Sequence, residues 1–314
     1  MKKWFIVALS LFVLFIVSTY FFVPGKIVVK KSITANANQS AVYRFLTDLS
    51  NWPMWWPGSS STKNSAEPVF ESGGYSFKEP GPGYNSFQII IEKDGTADSS
   101  LLNIFSMGTD SIRIEWDATI NTGSNPFDKI GYYFKAKELS KNLEAILNAM
   151  QKYISNVKNL YGIEIKMEKV KTEFLVSTRK SFSHYPGTSD IYEIINKMRK
   201  HIGQGHAKEE DYPMLYIKTY DSTHYEAQVA IPVNKNLSET DIFSIKLMLK
   251  NGNILVTEIT GGKNRTDSAM KQLELYVFDH RYNNVALPFY SLVTDRMNIP
   301  DTSKWVTRIY YPIL

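Results

Sequence analysis

The residues most able to do chemistry are few. Five histidines stand at His184, His201, His206, His224 and His280. His201 and His206 flank a Gly-Gln-Gly turn, but no acidic residue recurs with them at metal-ligand spacing, so no metal site is expected. The chain has no cysteine, which excludes disulfide staples, thiolate metal sites and cysteine nucleophiles together. His280 follows Asp279, yet no serine stands near it in a strand–turn–helix setting of the kind that exposes a nucleophile. Gly261-Gly262-Lys263 lacks the rest of a phosphate loop. Asp190, Glu193, Lys197 and Lys200 read as a solvated helix face. No catalytic residue and no cofactor is assigned. What remains conspicuous is aromatic mass: 19 Tyr, 17 Phe and 6 Trp make 13% of the chain, and such residues build both cores and the walls of apolar pockets. The candidate ligand-binding residues are Trp52, Trp55, Trp56, Tyr216, Glu226, Tyr290 and Trp305.

The elements that must position these residues fit a chain of 314 residues, long enough for about two domains. Apolar residues at 43% and charged residues at 21% are globular values and exclude long disorder. The net charge is +5, but its signs alternate along the chain instead of gathering in a stripe, so no nucleic-acid partner is expected. Trp4 to Val23 contains no charged residue, and as a helix it would span about 30 Å, a bilayer core. The run is longer than a signal-peptide core and lacks a small-residue cleavage site. The sequence therefore predicts an uncleaved transmembrane anchor over residues 1–24. The expected placement is a single-pass membrane protein held in the lipid bilayer through residues 4–23, its amino terminus cytoplasmic and its body outside.

Beyond Pro24-Gly25, residues 26–33 read as a β-branched strand. Residues 38–49 carry Val42, Phe45, Leu46 and Leu49 at helical spacing, with Asn36 or Asn38 as the cap. A loop dense in Trp, Pro and Gly follows, SNWPMWWPGSSS. From Pro68 to Phe134 short alternating runs are separated by turn signals, among them Gly73-Gly74, Pro80-Gly81-Pro82-Gly83, Asp94-Gly95 and 121–126, which predicts an antiparallel meander. Tyr132 to Leu160 predicts one long helix, closed at Tyr161-Gly162. The stretch NQSAVYRFLTDLSNWPMWWPG and this order of elements resemble the START-like polyketide cyclase and lipid-transport superfamily (SRPBCC, the helix-grip fold). The resemblance covers roughly Ile27 to Leu160. It implies a curved antiparallel sheet wrapped on a long helix around an apolar cavity, and no one chemistry. Trp52, Trp55 and Trp56 are then either a lid over that cavity or packing between helix and sheet.

The second half repeats itself. Ala230-Ile231-Pro232-Val233 recurs as Tyr310-Tyr311-Pro312-Ile313, and the segments before each copy correspond: 173–178 with 255–260, 191–202 with 269–278, and 214–219 and 226–231 with 289–293 and 304–310. Two strand–helix–strand–strand units side by side, helices on one face, leave a groove at their pseudo-twofold seam. This half resembles the GyrI-like effector-binding domain, also found fused to AraC-type and MerR-type regulators, through Pro213-Met214-Leu215-Tyr216, EAQVAIPV from Glu226 and WVTRIYYP from Trp305. The resemblance implies a small, often cationic aromatic ligand in the seam, held by aromatic walls and by a buried Glu in a P..FE.Y type segment. Here that segment reads Pro288-Phe289-Tyr290-Ser291-Leu292. Tyr290 stands where the Glu would be and Leu292 where the Tyr would be, which removes the carboxylate that a dry, cation-selecting pocket needs and on which cyclopropanoid hydrolysis in some members is based. Tyr216, Tyr290 and Trp305 read as groove walls or core. Strand alternation puts Glu226 with Gln228 and Ala230, opposite Ala227, Val229 and Ile231, so it is either a ligand partner or part of a solvated face.

The expected fold class is thus α+β, with a transmembrane helix (1–24), a START-like helix-grip domain (25–161) and a duplicated GyrI-like domain (162–314). The expected function is non-enzymatic binding or sensing of a hydrophobic or aromatic small molecule, with an apolar cavity in the first domain and an aromatic-lined groove in the second. A cyclase-like or hydrolase-like activity in one cavity is the alternative, and would need a titratable group buried there. Transcriptional regulation would need a helix-turn-helix or a basic patch, and neither is visible.

Overall fold

The computed structural model describes residues 2–60, 68–123 and 125–314. The last serine of the tryptophan-rich loop, at 61, and residue 124 of the turn expected at 121–126 lie outside them. The chain divides into two units, Met1–Leu160 and Tyr161–Leu314.

In the first unit, α1 (Lys2–Phe22) leads into β1 (Lys26–Ala35), α2 (Gln39–Thr47) and a 3-10 turn at Leu49–Met54. The strands β2 (Ser59–Ser60), β3 (Val69–Ser72), β4 (Tyr75–Gly83), β5 (Ser86–Lys93), β6 (Thr96–Ser106) and β7 (Ile112–Asn121) follow, then α3 (Pro126–Ile154) and the short α4 (Val157–Tyr161). All pairings are antiparallel, in the order β1-β7-β6-β5-β4-β3-β2, and α3 packs on β1 and β7. Alternation decides the buried face: Ile112, Ile114, Trp116, Ala118 and Ile120 of β7 all point to the core, where Leu139, Leu143, Ile146, Leu147 and Met150 of α3 meet them.

One expectation is overturned. Among the described residues no helix is long and apolar enough to cross a membrane. The reading of residues 4–23 as a transmembrane anchor therefore falls, and with it the single-pass placement and the bilayer as a partner. That reading weighed length and apolarity alone. In the structure the end of α1 is tied into the first unit: the buried Lys129 of α3 donates from Nζ to the Val23 carbonyl at 2.9 Å and the Tyr20 carbonyl at 3.4 Å, and Phe12 meets Phe127 at 6.4 Å between ring centroids.

Three boundaries also differ from the pattern. The long helix ends at Ile154, short of the expected Leu160, and a separate short helix covers Val157–Tyr161. The long helix begins at Pro126, six residues before the apolar stripe suggested, because Asn125 Oδ1 accepts from the Phe127 N–H and proline suits the first helical position. The Pro80-Gly81-Pro82-Gly83 stretch is not a turn but the second half of β4, after a register shift between Lys78 and Gly81. β3 pairs only with residues 75–78, so the prolines fall where β4 has lost one neighbour and no ladder N–H is missed on that side.

The second unit runs β8 (Lys166–Lys169), β9 (Phe174–Phe182), α5 (Thr188–Gln204), β10 (Met214–Asp221), β11 (His224–Val233), β12 (Ser244–Leu247), β13 (Asn253–Thr260), α6 (Lys263–Asp279), β14 (Phe289–Leu292) and β15 (Val306–Ile313). Strand–helix–strand–strand thus occurs twice, and the sheet order β12-β9-β11-β10-β14-β15-β13-β8 reads as a palindrome about the β10–β14 pair. Pro232 lies opposite Leu175 and Pro312 opposite Ile254, each the second residue of its partner strand. Both prolines sit beyond the end of the inner neighbour, where a missing N–H costs no ladder bond.

Helix α5 is held at its start by Asp190. The Gly187 N–H donates to Asp190 Oδ2 at 2.8 Å and keeps that carboxyl below its usual range, with His184 Nε2 at 3.2 Å as the next cause. A depressed carboxylate contributes stability above its unfolded pKa, near 3.9, and loses it as pH falls through the folded value. Asp190→Ala should lower the melting temperature at pH 7 and lower it less near pH 2, toward which the carboxylate's contribution is lost. Thermal unfolding at the two pH values checks this; an equal loss at both would assign the effect to packing.

Candidate functional site

In the first unit the three tryptophans are part of the interior. Asp48 caps the 3-10 turn through the Ser50 N–H and aims Trp52 inward. The Trp52 indole N–H donates to the Leu46 carbonyl at 2.8 Å and that of Trp56 to the Glu71 carbonyl at 2.9 Å. Trp52 stacks on Trp56 at 5.8 Å and meets Phe70 at 5.0 Å and Trp55 at 5.3 Å; Trp56 meets Phe77 edge-on, which in turn meets Trp116. Gly58 lets this loop lie on β3: a Cβ there would fall 1.7 Å from the Glu71 carbonyl oxygen. All three rings are buried in the core cluster of the unit. The unit also carries a cleft of about 670 Å³ between the β5–β6 turn and the first half of α3, where Lys93 pairs with Glu138 at 2.7 Å.

The second unit holds two cavities that bear on the candidate residues, on opposite faces of its sheet. Along β10, Met214 and Tyr216 line the first space and Ile217 the second, while Leu215 borders both. The first cavity, about 270 Å³, lies on the face away from the helices. Its lining includes Met214, Tyr216, Ala230, Phe289 and Pro312, with Arg179 and Lys246 as its cations. The second, about 210 Å³, is the seam cavity. Its floor is Leu215 and Ile217 of β10 with Leu292 of β14, and the starts of α5 and α6 close it.

Four aromatic side chains wall the seam: Tyr185 before α5, Tyr192 on it, Tyr290 on β14 and Trp305 before β15. Three ionic groups join them. Lys263 and Asp267 stand one helical turn apart at the start of α6 and form an ion pair, while Lys263 Nζ also lies 5.0 Å from the Tyr185 ring centroid. Arg296 stacks its guanidinium on Trp305 at 4.6 Å and donates from Nη2 to Thr307 Oγ1 at 2.8 Å, while its backbone N–H donates to the Tyr192 hydroxyl at 2.8 Å. Its Nε is buried and has no hydrogen-bond partner. Burial lowers the Arg296 pKa, and no carboxylate offsets that shift. Burial, and after it the Asp267 carboxylate, hold the Tyr290 phenol well above its usual range, so Tyr290 is a neutral donor at pH 7.

Tyr290 and Trp305 therefore share one cavity, Tyr216 lines the other, and Glu226 lies on the same sheet face as Tyr216, opposite Lys218 in register. Tyr185, Tyr192, Lys263, Asp267 and Arg296 were not singled out from sequence. The Lys263/Asp267 spacing after Gly262 was the one local signal; Arg296 sits in a loop with no pattern around it. Among the described residues no group of three metal-ligating side chains is assembled.

No family model matches the chain, and no curated protein matches it significantly. Among solved structures it is similar to the EcmrR C-terminal domain (15% identity, 48% of this chain and 98% of that one, TM-score 0.41). It is also similar to a START superfamily protein from Mycobacterium smegmatis (15% identity, 40% and 96%, TM-score 0.30). A third is SAV2435 bound to tetraphenylphosphonium (15% identity, 48% and 94%, TM-score 0.32). Likenesses this distant say nothing of which ligand this chain takes.

Proposed function

We propose that the protein binds a small aromatic molecule, that residues 25–161 are a START-like domain and 162–314 a GyrI-like domain, and that the ligand enters the seam cavity of the latter. The observation that carries this reading is the convergence of four aromatic rings and three ionic groups, brought from five separate segments, on one half-enclosed space. The first cavity has apolar walls but no such convergence, and the tryptophans of the first unit are buried in its core cluster. Lys263 and Asp267 are bound to each other and the Arg296 guanidinium donates to Thr307, so no acid–base pair stands poised in the seam and a binding role fits better than a cyclase-like or hydrolase-like one.

Isothermal titration with 2-naphthamide, a flat neutral probe, tests the site. Thr188→Trp, at the half-buried first residue of α5, fills the seam and should weaken binding by about tenfold or more. Tyr216→Ala, on the other sheet face, should leave it unchanged. The reverse pattern would move the ligand to the first cavity and refute this assignment.

A further inference from the structure

We propose that the seam cavity selects an aromatic anion, an aryl carboxylate or its chemical equivalent, and that Arg296 is the residue that seats its negative charge. The proposal rests on the reading of the seam as a ligand site and adds the class of ligand.

The charge count of the lining points this way. Lys263 and Asp267 neutralise each other across one helical turn. Arg296 is the remaining ionic group of the lining, and among the described residues no carboxylate pairs with it. Glu274 acts on the Tyr290 phenol but is not part of the lining. A guanidinium drawn out of water with neither a counter-charge nor a full set of acceptors is costly, and an anion that arrives there relieves that cost. Its aromatic stack and its bond to Thr307 hold it in place, and Nε is left as an unused donor.

A cation meets the opposite situation. Asp267 is the only carboxylate in the lining, and it is already paired. A cationic ligand would have to break that pair and lie in the field of Arg296. Tyr290, whose phenol is held neutral beside Asp267, offers a cation no further negative charge. The cavity volume, about 210 Å³, lies below the roughly 300–1,000 Å³ of drug-sized sites, which restricts the ligand to one or two rings.

The test is a matched series on the full chain at pH 7.5: 2-naphthoate, 2-naphthamide and 2-naphthylmethylammonium, titrated calorimetrically. The ring is constant and only the charge changes. Naphthoate should bind at least about tenfold tighter than either of the others, the size of one charge-assisted hydrogen bond. Arg296→Gln should bring naphthoate down to the level of naphthamide, and Arg296→Lys should keep part of the preference. Unchanged naphthamide affinity shows that the variant seam is intact, and the order of the three probes on the unaltered chain decides the matter even if a variant fails to fold. Naphthamide or the ammonium binding as tightly as naphthoate overturns anion selection and leaves the seam as a ligand site. Binding of none of the three overturns the seam reading itself.

Discussion

Trp52→Ala should cost the first unit about 3–5 kcal/mol, the range for removing a large aromatic side chain from a core that cannot collapse around the gap. Trp52 is 1% exposed and touches three other rings, and its indole N–H is the donor for the Leu46 carbonyl. The substitution removes that donor, the stacking on Trp56 and the contact with Phe70 at once, and the neighbouring rings are themselves anchored, Trp56 by the Glu71 carbonyl. Trp52→Phe keeps the ring and loses the donor, so it should cost less. Urea unfolding read by far-ultraviolet circular dichroism gives both values, and 2-naphthoate titration of the second unit serves as an internal control that should not change. A loss under about 1 kcal/mol would mean that the tryptophans form a movable lid and not core.

Tyr290→Glu should reverse the preference of the seam. The new carboxylate would line the same cavity as Arg296 and stand near Asp267, in a site whose burial already raises the phenol of Tyr290. Burial and the neighbouring carboxylate both raise a carboxyl pKa. In its ionised form the group offsets the charge of Arg296, repels an anion and attracts a cation, so at pH 8 naphthoate should weaken about tenfold or more while naphthylmethylammonium tightens. As pH falls through the raised pKa the carboxyl takes up its proton, the repulsion disappears and naphthoate binding recovers. Titration of both probes from pH 8 to pH 5 checks the sign. Unchanged naphthoate affinity at pH 8 in a folded variant would put Tyr290 out of reach of the ligand.

Some of this molecule is legible along the chain, because periodicity and turn chemistry are local. The apolar stripe from Leu139 to Met150 marks the long helix, the Asn38 cap starts α2 as a short side chain before a helical run should, and Pro232 and Pro312 mark the end of each half of the second unit. Local rules failed where a neighbour decided the outcome. Pro80 to Gly83 extends a strand because β3 has already ended beside it. The apolar run from Trp4 to Val23 was read by length and composition as a membrane span, while the attachment of its end to Lys129 is a contact between residues more than one hundred positions apart.

The aromatic inventory, the missing cysteines, the α+β class and the repeat were determined by the sequence alone. Which aromatics face one another was decided only by the tertiary structure. Adjacent strand residues point to opposite faces, so Tyr216 and Ile217 belong to different cavities although they are neighbours in the chain. The palindromic strand order then brings Tyr185, Lys263, Tyr290, Arg296 and Trp305 together from distant segments. A side chain's charge is written in its codon, but whether that charge is cancelled depends on what the fold sets beside it: Asp267 meets Lys263, and Arg296 meets no carboxylate.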